Sequence, residues 1–93
     1  MFCTCFGINE RKLAQVNYEI ERQIGQNIHR LREHAGMTQE MLALKLQLLG
    51  CDITRSAVAK IEVGQRHLYP DEIRLIHEIL NVSYEEIFSI PHL

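Results

Sequence analysis

The amino-acid sequence predicts an all-α domain built from five short helices. From residue 24 onward, apolar residues recur three or four positions apart, which is the period of an amphipathic helix and not of a strand. Residues that favour helix N-termini precede these apolar segments, and glycine or asparagine follows most of them. A chain of 93 residues can bury one modest core, so we expect the helices to pack into a single domain.

Helices 1 and 2 are predicted on either side of Gly36. Ile24, Ile28 and Leu31 lie on one face of helix 1, and Gly36 stands where a left-handed C-terminal cap is expected. Thr38 is a favourable N-cap for helix 2. This helix should end near residue 50, and its inward face carries Leu42, Ala43 and Leu46.

Helices 3, 4 and 5 each begin at a residue of known N-terminal preference. Thr54 is the N-cap of helix 3, which ends at Gly64. Pro70 opens helix 4, because its fixed φ and missing N–H suit the first helical position. Ser83 and Glu86 form a capping box for a short helix 5. The inward residues of helices 3 and 4 are Val58, Ile61, Ile73, Ile76, Ile79 and Leu80.

Residues 1–22 are interpreted as an N-terminal extension to a domain at residues 23–90. The residues that share one helical face in the extension are Leu13, Val16 and Ile20, and the extension is therefore predicted to be helical. Gly25 weakens the case for one unbroken helix, because glycine is a poor helix former. An apolar face of this kind serves either dimerisation or the covering of the core, and the sequence leaves both open.

The net charge of −2 hides an uneven distribution of charged groups along the chain. Residues 23–66 contain six basic and four acidic residues, a balance of +2, whereas residues 67–93 contain one basic and five acidic residues, a balance of −4. Ordinary scatter of surface charge can give such a balance, but attraction to phosphate depends on the local field and not on the total. The middle of the chain can therefore bind DNA on one face.

Composition and cysteine content indicate a soluble cytoplasmic protein. Apolar residues make up 46% of the chain, but no run approaches the ~20 residues that span a membrane, and we find no targeting signal. Cys3, Cys5 and Cys51 are an odd number, and the first two are too close together to staple a fold. A reducing compartment is expected.

No metal site, cofactor or catalytic centre is predicted. A zinc site needs four ligands, and His29, the histidine nearest to Cys3 and Cys5, lies 24 positions beyond Cys5 without a second ligand pair. Ser56 and Ser83 stand at helix starts, where hydroxyl groups cap helices or contact phosphate, and no general base accompanies them. We therefore do not expect an enzyme.

Helices 2 and 3 together form a helix-turn-helix, a motif whose second helix places its first turns in the major groove of DNA. The outward positions of helix 3 carry Arg55, Ser56, Ala59 and Lys60. Arginine and lysine can bond guanine, serine can bond the edge of any base, and the alanine methyl can touch thymine. These four residues are the predicted base-reading set, within a helix at residues 54–62.

Backbone contacts are predicted at the edges of this motif. Thr38 and Gln39 lie at the N-terminus of helix 2, where backbone N–H groups attract phosphate. Arg66 lies just beyond helix 3. These residues are expected to position the protein on DNA without specifying a sequence.

Three segments carry a combined pattern that is more specific than any one of them. They are Ile24-Gly25-Gln26-Asn27-Ile28-His29-Arg30-Leu31-Arg32, Gly36-Met37-Thr38-Gln39-Glu40-Met41-Leu42-Ala43 and Ile61-Glu62-Val63-Gly64-Gln65-Arg66. Together they resemble the phage repressor/Cro family of helix-turn-helix proteins, also called the XRE family. The resemblance covers about residues 23–88 and implies a lambda-repressor-like fold.

The resemblance also implies roles for individual residues. Gln39 matches a position that contacts phosphate and sometimes a base. The residues that match base-reading positions of the family are Arg55, Ser56 and Lys60. Arg32 is implied to pair with Glu62, which would tie helix 1 to the end of helix 3 in a structural ion pair.

Two departures from the family pattern affect the predicted helix-turn-helix. Between Leu46 and Ile53 there are six residues where the compact pattern often has a single glycine. A longer-turn subgroup has a similar segment, so we expect a lengthened helix 2 or loop with Leu48 or Leu49 packed inward. Val63 stands where asparagine is common, and we expect one phosphate contact to be missing there.

The sequence therefore predicts a sequence-specific regulator that binds double-stranded DNA and represses transcription. One recognition helix contacts few base pairs, so a homodimer on a palindromic operator is expected, with its interface in helix 5 or in residues 1–22. The alternative is a protein-interaction module of the same fold, of antitoxin or antirepressor type, with weak DNA binding. The acidic C-terminal part and the apolar extension favour that alternative, whereas Arg55, Lys60 and Arg66 favour DNA.

Overall fold

The computed structural model of the chain describes residues 18–90, and these form five helices without a strand. The helices are α1 (Tyr18–His34), α2 (Gln39–Leu48), α3 (Arg55–Glu62), α4 (Pro70–Leu80) and α5 (Tyr84–Phe88). The predicted all-α, five-helix architecture is confirmed for this part of the chain. Within it, none of the helices is both long enough and apolar enough to cross a bilayer.

The helix N-termini form where side chains can satisfy backbone N–H groups that no earlier turn can reach. The hydroxyl of Thr38 accepts from the N–H of Met41 at 3.1 Å, and that of Thr54 accepts from the N–H of Ala57 at 3.2 Å. Ser83 begins α5 in a capping box with its third helical residue. These N-caps agree with the sequence prediction.

Helix α1 is longer than predicted and continues through Gly25 without a break. It begins at Tyr18, so residues 18–22 of the predicted extension belong to this helix, whereas the rest of the extension, including Leu13, Val16, Cys3 and Cys5, lies outside the described residues. A Cβ atom at Gly25 would clash with the carbonyl oxygen of Ile61 and would lie 3.0 Å from the carbonyl carbon of Glu62. Glycine is therefore needed here because the backbones of α1 and α3 touch.

The core lies between α1, α2, α3 and α4, and α5 closes one end. Its buried apolar residues are Ile24, Ile28, Leu42, Ala43, Leu46, Cys51, Ile53, Val58, Ile61, Leu68, Ile76, Leu80 and Ile87. Asn27 is buried among them, and its amide donates to the carbonyl oxygens of Ile87 at 2.9 Å and Ser89 at 2.8 Å. This buried amide ties the middle of α1 to α5.

The segment inserted between α2 and α3 does not pack as predicted. Leu48 is 85% exposed and Leu49 is also exposed, so the expectation that one of them points inward was wrong. Gly50 turns the chain with a φ of +90°, and Cys51 and Ile53 enter the core instead. The amide of Gln47 donates to the carbonyl of Ile53 at 2.7 Å and holds the turn in this register.

Candidate nucleic-acid interface

Helix α3 has one buried face and one face open to solvent. Val58, Ile61 and Glu62 are buried against the rest of the domain. The four predicted base-reading residues lie elsewhere on the helix: Arg55, Ser56 and Lys60 are exposed, and Ala59 is half-buried. The positions follow from the helical period, since residues three and four apart share a face.

The N-terminus of α2 lies next to the end of α3. Thr38 is exposed, and its hydroxyl is used as the cap. Gln39 is half-buried, and its amide donates to Oε1 of Glu62 at 3.0 Å. Gln39 therefore links the two helices of the motif, a contact that the sequence did not indicate.

A buried ion pair connects α1 to α3. Nε of Arg32 donates to Oε2 of Glu62 at 2.6 Å, and a terminal nitrogen of the same guanidinium donates to Oε1 at 3.1 Å. The side chains are 7% and 2% exposed. The other terminal nitrogen donates to the carbonyl of Met37 at 2.6 Å, just before α2. One guanidinium thus joins the three segments that orient α3.

His29 also belongs to this network, a contact that the sequence did not indicate. Its Nδ1 lies 2.9 Å from Oε1 of Glu62, and its Nε2 lies 3.3 Å from a carboxylate oxygen of Glu33. Burial raises the pKa of Glu62, but hydrogen bonds from Arg32, Gln39 and His29 outweigh it and hold the pKa below its ordinary value.

Arg66, for which the sequence predicts a phosphate contact, has an intramolecular partner. Its two terminal nitrogens donate to the two carboxylate oxygens of Glu72 at 2.9 and 3.0 Å. Glu72 is buried and also accepts from the N–H of Tyr69 at 3.0 Å. Burial raises the pKa of Glu72, but the bonds from Arg66 and Tyr69 outweigh it and lower the pKa overall. Arg66 therefore attaches the turn after α3 to α4.

We expect the protein to lose stability as the pH falls through the acidic range. The depressed pKa values of Glu62 and Glu72 contribute stability that is fully present above the unfolded-state pKa of about 4.3 and is lost as the pH falls through the folded-state values. The measurement is the urea midpoint between about pH 6 and about pH 3. A midpoint that stays constant over this range would contradict the described geometry of both carboxylates.

Metal-binding residue types do not converge in the part of the chain that the structure describes. No group of three or more His, Cys, Asp or Glu side chains between residues 18 and 90 is arranged to hold a metal ion. Cys51 is a free, buried thiol, and burial raises its pKa. A protonated thiol in the core acts as a small apolar side chain.

Comparisons with known proteins agree with this geometry. The sequence matches the model of a helix-turn-helix family over residues 28–87, a span that includes α2, α3 and α4 in full. The structure is similar to the crystal structure of the restriction-modification controller protein C.AhdI from Aeromonas hydrophila, with a TM-score of 0.68 and 30% sequence identity. The match covers 80% of this chain and 100% of that one. No curated protein matches the sequence.

Proposed function

The chain belongs to the XRE-type helix-turn-helix family of DNA-binding regulators, and from this premise we propose that it is a cytoplasmic, sequence-specific repressor of transcription. It binds double-stranded DNA with α3 in the major groove and needs no cofactor. The observation that carries the proposal is the solvent-facing side of α3, where Arg55, Ser56 and Lys60 are exposed and Ala59 is half-buried. Only side chains so placed can reach base edges.

The N-terminus of α2 positions the protein on the phosphate backbone. Thr38 and Gln39 lie at the N-terminus of α2, where backbone N–H groups and the helix dipole attract an anion. Arg66 is paired with Glu72, so its part in DNA binding is to hold the turn beside α3 in place. A direct phosphate contact by Arg66 would require this bidentate pair to open or to be shared.

The regulator acts as a homodimer on a palindromic operator. One reading helix of eight residues contacts few base pairs, and a second copy doubles the sequence information. Helix α5 offers a surface for pairing, because Tyr84 and Phe88 are one helical turn apart and each is 43% exposed. The structural similarity to a restriction-modification controller favours a regulatory role for such a dimer.

Arg55→Ala and Lys60→Ala should each weaken binding to the cognate duplex by about 1–3 kcal/mol and relax base preference at one position. The cognate duplex is obtained by selecting bound sequences from a random pool. Affinities for that duplex and for a scrambled duplex are then compared by fluorescence anisotropy. The symmetry of the selected sites also reports whether the protein binds as a dimer.

The control variant for this experiment is Glu40→Ala, in the first turn of α2 but outside the predicted base-reading set. It should not relax base preference. Equal losses on cognate and scrambled DNA for Arg55→Ala and Lys60→Ala would remove α3 from the base-reading role. Absence of salt-dependent binding to any duplex would refute the proposed function as a whole.

A protein-interaction module of antitoxin or antirepressor type is the second candidate, and one feature favours it. Helix α2 exposes apolar side chains on the face opposite the core, namely Met41, Leu44 and Leu48, and Leu49 follows them. Exposed apolar patches of this kind often bind other proteins. Under this function, the variants of Arg55 and Lys60 would leave partner binding intact, and duplex affinity would be weak for every sequence.

A further inference from the structure

A cleft of about 400 Å³ lies between α1 and the end of α3. The residues that line it are Arg22, Gln26, His29, Gln39, Glu62 and Val63. The first three are spaced four and three positions apart on α1, so they share one face of that helix. The cleft therefore joins a polar face of α1 to the N-terminus of α2 and the C-terminus of α3.

Val63 connects this cleft to the solvent-facing side of α3. It is the first residue beyond the helix, and it follows Ser56 by seven positions and Lys60 by three, which places it on the same face. Val63 is exposed and also lines the cleft. The cleft and the predicted base-reading residues therefore open onto one continuous surface.

The backbone at Arg22 is fixed at the rim of the cleft by close packing. A Cβ atom at Gly64, which has a φ of +79°, would lie 2.8 Å from the Cα atom of Arg22, so α1 touches the turn after α3 at this point. The guanidinium pairs with Glu19 at 2.7 Å, but the two side chains are 55% and 74% exposed. Exposed pairs of this kind contribute little to stability, so the guanidinium can exchange Glu19 for a phosphate at small cost.

We infer that Arg22 binds a backbone phosphate of DNA when α3 lies in the major groove, with Gln26 beside it as a neutral donor. The inference rests on the proposed function and extends the DNA contact from the helix-turn-helix to α1. Arginine suits this place because its planar guanidinium matches the oxygen geometry of phosphate. Val63 offers no polar group at the end of α3, and Arg22 supplies a cation across the cleft from it.

The carboxylate of Glu62 does not repel a phosphate at the cleft mouth. Its oxygens are occupied by Arg32, Gln39 and His29, and its side chain is 2% exposed. The charge of Arg32 compensates that of the carboxylate inside the domain. Among the lining residues, Arg22 is then the exposed full charge, with Glu19 beside it and with Glu33 beside His29.

Arg22→Gln should reduce the salt dependence of DNA binding by one phosphate contact. The probe is the duplex that the wild-type protein selects from a random pool, titrated between about 50 and about 200 mM salt. Loss of one contact lowers the magnitude of the slope of log affinity against log salt by about 0.9. The ratio of wild-type affinity to variant affinity should therefore fall about threefold as the salt concentration rises over this range. A thermal melt of each variant checks that the fold is retained.

The matched control is Arg74→Gln. Arg74 is also an exposed arginine paired with a glutamate of its own helix, Glu78 at 3.5 Å, but it lies on α4 and does not line the cleft. Its replacement should leave the slope unchanged. Glu19→Gln should raise the affinity because it releases Arg22, and Glu78→Gln should have a smaller effect.

A second readout replaces single phosphates of the duplex by uncharged methylphosphonates. The wild type should lose affinity at one flanking position where Arg22→Gln shows no further loss. Suppose that Arg22→Gln keeps the wild-type salt slope and the wild-type loss of affinity at the methylphosphonate position, while Arg55→Ala and Lys60→Ala weaken binding. The role of Arg22 is then overturned and the proposed function stands. If the wild type binds no duplex in a salt-dependent way, both are overturned.

Discussion

Gly25→Ala should lower the free energy of unfolding by about 3 kcal/mol, although alanine is the better helix former. Propensity alone favours alanine over glycine by about 1 kcal/mol in a helix interior. Against this, the new Cβ atom would clash with the carbonyl oxygen of Ile61 and approach the carbonyl carbon of Glu62. No side-chain rotation relieves a clash with backbone, so α1 must move away from α3 and open the core between Ile28 and Ile61.

Urea denaturation measures this loss, and DNA binding should follow it. Because the displacement alters the orientation of α3, affinity for the cognate duplex should fall more than affinity for a scrambled one. Gln26→Ala is the control for the stability measurement alone, since Gln26 is the exposed next residue of α1 and its replacement gains propensity without a clash. Its unfolding free energy should stay within about 0.5 kcal/mol of the wild type. A Gly25→Ala protein as stable as the control would show that the two backbones do not touch.

The features that the sequence predicted correctly depend on neighbours within one or two turns. The N-caps Thr38, Thr54 and Ser83 bond the N–H three residues later, so residue type and spacing were enough to find them. Gly25 is different. Local propensity marks it as a weak point in a helix, but its purpose depends on how closely α3 approaches, and no local pattern contains that distance.

The packing of the turn inserted between α2 and α3 also could not be predicted from local sequence patterns. Both Leu48 and Leu49 are apolar, and hydrophobicity alone favours burying one of them. Which residues enter the core depends on the left-handed turn at Gly50 and on the hydrogen bond from Gln47 to the carbonyl of Ile53. The chain leaves both leucines outside because the turn brings other apolar residues inward.

The residues of the candidate site also differ in how much of their placement follows from spacing along the chain. Exposure of Arg55, Ser56 and Lys60 follows from the helical period, and the sequence located all three on the outer side of α3. The pairing of Arg66 with Glu72 depends on how α4 docks. Because spacing along the chain does not contain that docking, Arg66 was predicted to contact phosphate. The bonds from Gln39 and His29 to Glu62 arise only where three helices converge, a relation that spacing along the chain does not contain.

Glu62→Leu should destabilise the protein by about 3–5 kcal/mol, because it leaves the guanidinium of Arg32 buried without its countercharge. Small domains have unfolding free energies of about 5–15 kcal/mol, so this single change removes a large share of the total. Arg32→Met should have a similar cost, since the carboxylate of Glu62 is 2% exposed and would lose its only guanidinium partner.

The double variant Arg32→Met with Glu62→Leu should cost less than the sum of the two single changes. Replacing both charges leaves neither one stranded, and apolar side chains of similar volume can fill the space between α1 and α3. Urea denaturation of the four proteins gives the coupling energy. Additive losses would mean that each side chain stabilises the fold independently. If the coupling is large but the double variant still binds cognate DNA poorly, the pair orients α3. In that case the apolar side chains restore the packing between α1 and α3 but not the direction of α3.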